Sequence, residues 1–134
     1  MSRLVSPAQR RFFDKAFDRV VESAPDLVRE AMETVPIVVE DVPSREIMAA
    51  EGIHSPFELL GYYVGVPLSE RSVEQPRREP DMIQIYRAGL LQLARRRGRI
   101  DAAELERQIR ITLLHEVGHY YGLDEDDLAE RGYG

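Results

Sequence analysis

His115 and His119 stand four residues apart in "LLHEVGHYYGLDEDDL" (Leu113 to Leu128), and they are two of the chain's 3 histidines. On a helix, side chains at i and i+4 project from one face about a turn apart, so the two imidazoles can converge on a single ion. This is the H-E-x-x-H spacing, and its glutamate, Glu116, lies roughly 100° around the helix from His115. A carboxylate so placed can take a proton from water polarised by the ion and pass it to a leaving amine. The chain has no cysteine, so disulfides and thiolate ligands are excluded and any metal must be held by His, Asp or Glu.

Gly122 suits the left-handed position that closes a helix, and the turn it permits can return Asp124, Glu125 or Asp126 as a third ligand. In H-E-x-x-H-x-x-G-x-x-ligand spacing the last position falls on Glu125, with Asp126 as the alternative. Three protein ligands plus water is the open geometry of catalytic zinc. Gly118, between the histidines, would let a neighbouring strand come close. At 100° per residue, Gln108, Thr112, His115 and His119 fall on one side of the helix, and Leu113, Leu114, Val117 and Tyr121 on the other. A merely solvated face could carry the same two histidines. Context favours the metal site: the motif sits late in a capped helix, with apolar residues behind it and a helix-ending glycine at the right offset.

The elements that must position these residues read as follows. "DAAE" gives the motif helix an Asp101 cap and a Glu104 that can reach back, a capping box, and the helix runs to Gly122. Ser6-Pro7-Ala8-Gln9 starts another helix, with Phe12, Phe13, Ala16, Phe17, Val20 and Val21 at helical spacing. "DLVREAMET" is a second short helix, and "PIVVED" (Pro36 to Asp41) is a strand. "SPFELLG" (Ser55 to Gly61) reads as a single capped helical turn. "YYVGVP" follows as a strand, with Gly65 marking a bulge or close approach. Leu68 to Pro80 is a polar, proline-rich loop and "DMIQIYR" a further strand. "AGLLQLARRRG" reads as a helix ending at Gly98, with its arginines at the C-terminal turn. Helices around about three strands make an α+β fold, one domain over residues 1–134.

With 43% apolar and 31% charged residues, the chain has the composition of a globular domain. A net charge of −6 and a pI near 5.1 repel a phosphate backbone, so no nucleic-acid partner is expected. Arg95 to Arg97 read as a solvated helix end, and Asp124 to Asp127 with Glu130 as the start of a short helix. His54 reads as a surface residue. The N-terminus lacks an apolar run of signal-peptide length and no segment approaches a membrane span, so the expected location is cytoplasmic, with no membrane partner.

The chain resembles the small bacterial zincin-like metallopeptidases, or minimal zincins. The resemblance lies in "IVVEDVP", "ELLGYYVGVPLSERS", "PDMIQIYR", "QIRITLLHEVGHYYGLDEDDL" and an ending near Tyr133. It implies a zincin-like fold without extra domains and a zinc-dependent peptidase with one Zn2+ per chain. It also implies metal ligands at His115 and His119, with Glu116 as catalytic base. The family usually has Asp where this chain has Glu125, whose longer arm changes its reach. Larger relatives place a methionine-containing turn beneath the metal; none is readable after His119, and the resemblance implies that Tyr133, matching the family's C-terminal aromatic, would fill that supporting role, with Gly122 supporting the site as the helix-ending residue. By the same resemblance a peptide or protein substrate lies extended along an edge strand, which would be "DMIQIYR".

Two other functions fit parts of the pattern. A metal-dependent endoribonuclease with His-x-x-x-His-x-x-Gly-x-Asp-His spacing would use histidine as third ligand, where this chain has Glu125, and would not require Glu116. A zincin-like domain without turnover would act by binding or regulation, compatible with a homodimer.

Overall fold

Ser6 caps the first helix as its sequence dictates: its Oγ accepts from Gln9 N at 3.1 Å while Gln9 Oε1 accepts from Ser6 N at 2.9 Å. This computed structural model describes residues 4–65 and 81–131. Its helices are α1 (Pro7–Glu22), α2 (Asp26–Thr34), α3 (Arg45–Glu51), α4 (Arg87–Leu93), α5 (Ala102–Tyr121) and α6 (Glu125–Glu130). Its strands are β1 (Ile37–Glu40), β2 (Gly61–Val64), β3 (Met82–Tyr86), β4 (Arg95–Arg96) and β5 (Arg99–Ile100). The layout is the expected α+β one, a three-stranded sheet packed on helices with the motif helix near the C-terminus.

The sheet order is β1-β3-β2. Strand β3 pairs with β1 in parallel (Ile37↔Ile83 to Glu40↔Tyr86) and with β2 antiparallel (Gly61↔Ile85 to Val64↔Met82). "DMIQIYR" is therefore the central strand, and β2 is an edge among the described residues. The expectation of an edge strand at β3 is corrected by the pairing: Ile83 and Ile85 are fully buried, as a strand flanked on both sides requires.

Helix α5 is the element the others surround. It packs against α1, α2, α4 and α6 and lies along β2 and β3. Leu105, Ile109, Leu113 and Val117 recur at helical spacing and are buried to 1% exposure or less. They meet Phe13, Ala16 and Val20 from α1, Val28 and Ala31 from α2, Leu90 and Leu91 from α4, and the two isoleucines of β3 in one core. Among the described residues no helix is long and apolar enough to cross a membrane.

Several local readings change. "SPFELLG" forms a turn: Ser55 O accepts from Glu58 N, and the Glu58 carboxylate accepts from the backbone N–H groups of His54 and Ser55 at 3.0 and 3.2 Å. Helix α4 stops at Leu93, and β4 and β5 form a hairpin whose two-residue turn, Arg97-Gly98, has φ of 52° and 78°. Two successive positive φ values are the turn that matches strand twist, so the arginines sit on a hairpin and not on a helix end. Gly65 follows β2 instead of lying inside it. At Asp101 only half of the capping box forms, because its side chain accepts from Glu104 N while its own N–H donates to Ala94 O. Helix α3, capped by Ser44 and closed by Gly52, is an addition to the sequence reading. The loop from Leu68 to Pro80 and Tyr133 lie outside the described residues.

Asp41, just past β1, ties three elements together. Its carboxylate accepts from Arg10 of α1 (Nε at 3.0 Å) and Arg87 of α4 (Nη1 at 2.9 Å), and Arg87 also reaches Asp14 at 3.0 Å. Its backbone O accepts from Ala88 N in the first turn of α4, a helix with no side-chain cap. Burial opposes the Asp41 charge, and the hydrogen bonds and charges of Arg10 and Arg87 outweigh it, so its pKa lies below the ordinary 3.8. A depressed pKa means that the pair stabilises the fold above the unfolded value and is lost as pH falls through the folded one. Asp41→Asn is expected to lower the urea-unfolding free energy at pH 7 by about 2 kcal/mol. The gap to wild type should narrow as pH falls from the ordinary 3.8 through the lower folded-state value; a gap that stays the same down to strongly acidic pH would contradict the pairing.

Candidate metal centre

The buried stripe of α5 fixes its rotation, and that rotation turns His115 and His119 outward. Their side chains are 36% and 46% exposed, and their ring centroids lie 4.4 Å apart with planes at 68°. Glu116, between them in sequence, is only 8% exposed. Its Oε1 lies 3.5 Å from His119 Nδ1. One donor atom each from His115, Glu116 and His119 fall within 4.8 Å of one another, so the three can hold a metal ion.

The return of the chain beyond α5 is locally encoded. Gly122 adopts φ 80°, Leu123 N donates to Gly118 O at 2.8 Å, and Gly122 N donates to His119 O at 3.0 Å. This pair of bonds closes the helix and satisfies two of its last carbonyls. Asp124 then starts α6, its Oδ1 accepting from Asp127 N at 2.8 Å while Asp127 Oδ2 accepts from Asp124 N at 3.0 Å. A Cβ on Gly118 would lie 2.8 to 3.2 Å from the Leu128 side chain. The close neighbour at Gly118 is thus α6 and not a strand, and the missing side chain lets buried Leu128 dock on α5.

That docking brings Glu125, the first residue of α6, to the histidines: its Oε1 is 4.0 Å from His115 Nε2, on a side chain that is 85% exposed. Of the three acidic residues the spacing allowed, Asp124 is used as a cap. Asp126 is exposed and forms no ion pair with either imidazole among the described residues. Glu125 is the carboxylate brought near.

Thr112 does not share the open side with the histidines. It is 6% exposed and faces β2, where Gly61 has room for no side chain. Gly61 is the site-forming residue that sequence reasoning missed, because "ELLG" looked like a helix end. Its signal was a glycine directly before an aromatic β-forming run. Tyr120 is buried, bonds Thr34 Oγ1 through its hydroxyl at 2.7 Å and meets Tyr63 edge-on at 5.8 Å, a core role. Tyr86 is fully buried with its hydroxyl donating to Gln84 Oε1 at 2.7 Å; burial and then the Glu116 charge push its pKa well above the ordinary value.

A protein-family model described as zincin-like metallopeptidase matches residues 32–134, which includes every residue of this cluster. No curated protein matches the chain. The family match and the His-Glu-His cluster together fit a metal-dependent peptidase.

The hydrogen bond to Glu116 raises the His119 pKa; burial opposes it, and the charges of Glu116 and Glu125 add to it. A raised histidine pKa means that this contact stabilises the metal-free fold below the unfolded value of 6.5 and is lost as pH rises through the folded value. An NMR titration of metal-free protein is expected to place His119 above 6.5 and Glu116→Gln to bring it down. An unchanged His119 titration in the variant would show that Glu116 is not its partner.

Proposed function

The chain belongs to the zincin-like metallopeptidase family, and from that premise we propose that it is a zinc-dependent peptidase with Glu116 as general base. The observation that carries this reading is the convergence of His115, Glu116 and His119 within 4.8 Å on a helix whose opposite face is locked in the core.

The donor set fits the metal. Imidazole and carboxylate groups are donors that zinc takes, and His115, His119 and Glu125 would supply two nitrogens and an oxygen from one short stretch. Glu125 is the third ligand in this reading because its carboxylate is already 4.0 Å from His115. When bound, the ion supplies the Lewis acidity that brings the pKa of water at the site towards neutrality.

The remaining chemistry belongs to the chain. Glu116 lies between the core and the histidine face, its stem packed near Gly61 and its carboxylate beside His119. It can therefore hold a proton taken from the attacking water and deliver it to the amine that leaves. Strand β2 runs along α5 at the edge of the described sheet, so a peptide laid extended beside it would pass the cluster. A ribonuclease of the His-rich type would have histidine at the third position of the spacing, where this chain has Glu125.

Untagged protein, assayed for metal and incubated with a quenched-fluorescent peptide library and with RNA, tests the reading. Wild type is expected to hold one zinc per chain and to cut peptide but not RNA. Glu116→Gln should keep the zinc and lose about 10²- to 10⁴-fold in cleavage. His115→Ala and His119→Ala should lose the metal. Cleavage that survives Glu116→Gln would refute the base assignment, and RNA cleavage the substrate class.

The third ligand has its own test. Glu125→Gln should weaken zinc binding by more than the roughly 10- to 100-fold that loss of an outer-shell partner costs, and Asp126→Asn should leave it within about twofold. The reverse order would move the assignment to Asp126.

A further inference from the structure

Gly61 opens β2 where the edge strand passes α5, and it is buried. A Cβ built there would lie 2.8 Å from Thr112 Cγ2, 3.1 Å from Glu116 Cγ and 3.2 Å from Gln84 O. Gly61 is not among the positive-φ glycines, so what it supplies is space and not an unusual backbone. Glycine in a strand is destabilising relative to alanine, and nothing in the backbone conformation offsets that here.

The three neighbours differ in what they can yield. Gln84 O belongs to β3, which is laddered on both sides. Thr112 is β-branched, stiff at χ1 and 6% exposed. Glu116 hangs on two methylene groups with its carboxylate beside the half-exposed His119. A methyl group at position 61 would be relieved mainly by moving the Glu116 stem.

We propose that Gly61 is a positioning residue for Glu116: the missing side chain sets where the carboxylate stands relative to His115 and His119. The kinetic part of this inference rests on the peptidase reading; the geometric part does not.

Crystal structures, zinc affinity and kinetics of Gly61→Ala test it. The Glu116 carboxylate is expected to shift by about 1 Å, widening its 3.5 Å separation from His119 Nδ1, a misplacement that can cost about 10²-fold in kcat. KM for the library peptide that wild type cuts fastest, and zinc affinity, should stay within about twofold, because the substitution removes no group that binds substrate and His115, His119 and Glu125 are not among the atoms a Cβ at position 61 would meet. Adding Thr112→Ser removes the closest contact and leaves that to Glu116, so the double variant should recover part of kcat. If Gly61→Ala alone does not fold, the double variant carries the comparison, with a smaller displacement and a kcat still below wild type.

An unmoved Glu116 in whichever variant folds would overturn the proposal, as would a loss of kcat matched by loss of zinc. Should wild type cut no peptide, the peptidase reading fails while the position of Glu116 in the variant still decides this one.

Discussion

Two imidazoles a turn apart can meet one ion only if the helix bearing them is held at a fixed rotation. In α5 that rotation is set by Leu105, Ile109, Leu113 and Val117, each essentially removed from solvent against α1, α2, α4 and the sheet. Burying such side chains is worth roughly 1.5–3 kcal/mol each, far more than any contact made by the exposed histidines. The core therefore decides where the histidines point, and the site inherits its geometry from packing. Glu116 stands where the two faces of the helix meet, which is why it is buried yet still reaches His119.

The other half of the site depends on a short return. Gly122 closes α5, Asp124 caps α6 as the last of three connecting residues, and Leu128 fits against Gly118. Each step is local, and together they carry Glu125 back along α5 to His115. The acidic run from Asp124 to Asp127 acts as the cap and first turn of α6, where negative charge is favoured. The arginine run belongs to the β4–β5 hairpin at the opposite end of α5, and Arg96 and Arg107 there pair with Glu104.

Much of this was legible in the residues because its signals are local. Ser6 with Gln9, Asp26 to Thr34, the β-branched run at Ile37 and the stretch from Asp101 to Gly122 announce their elements through caps, prolines and periodicity. The H-E-x-x-H spacing expects His115, Glu116 and His119 on one helix, and α5 carries all three. What failed depended on partners distant in sequence. The order of strands follows from ladders that no single segment encodes, so the residues of β3 alone do not show that it is central. A helical wheel contains no β2, so it puts Thr112 on the open side, where the structure buries it against Gly61. Gly118 revealed that something approached but not that it was Leu128. Arg97 hid the hairpin turn, since only Gly98 of that pair advertises a positive φ.

X-ray absorption at the zinc edge of untagged protein, as purified, addresses the metal centre most directly. A first shell of four light atoms is expected, two of them imidazole nitrogens at about 2.0–2.1 Å with their characteristic outer-ring scattering. Zinc without imidazole scattering, or protein that takes up no zinc when the metal is supplied, would contradict a centre built on His115 and His119.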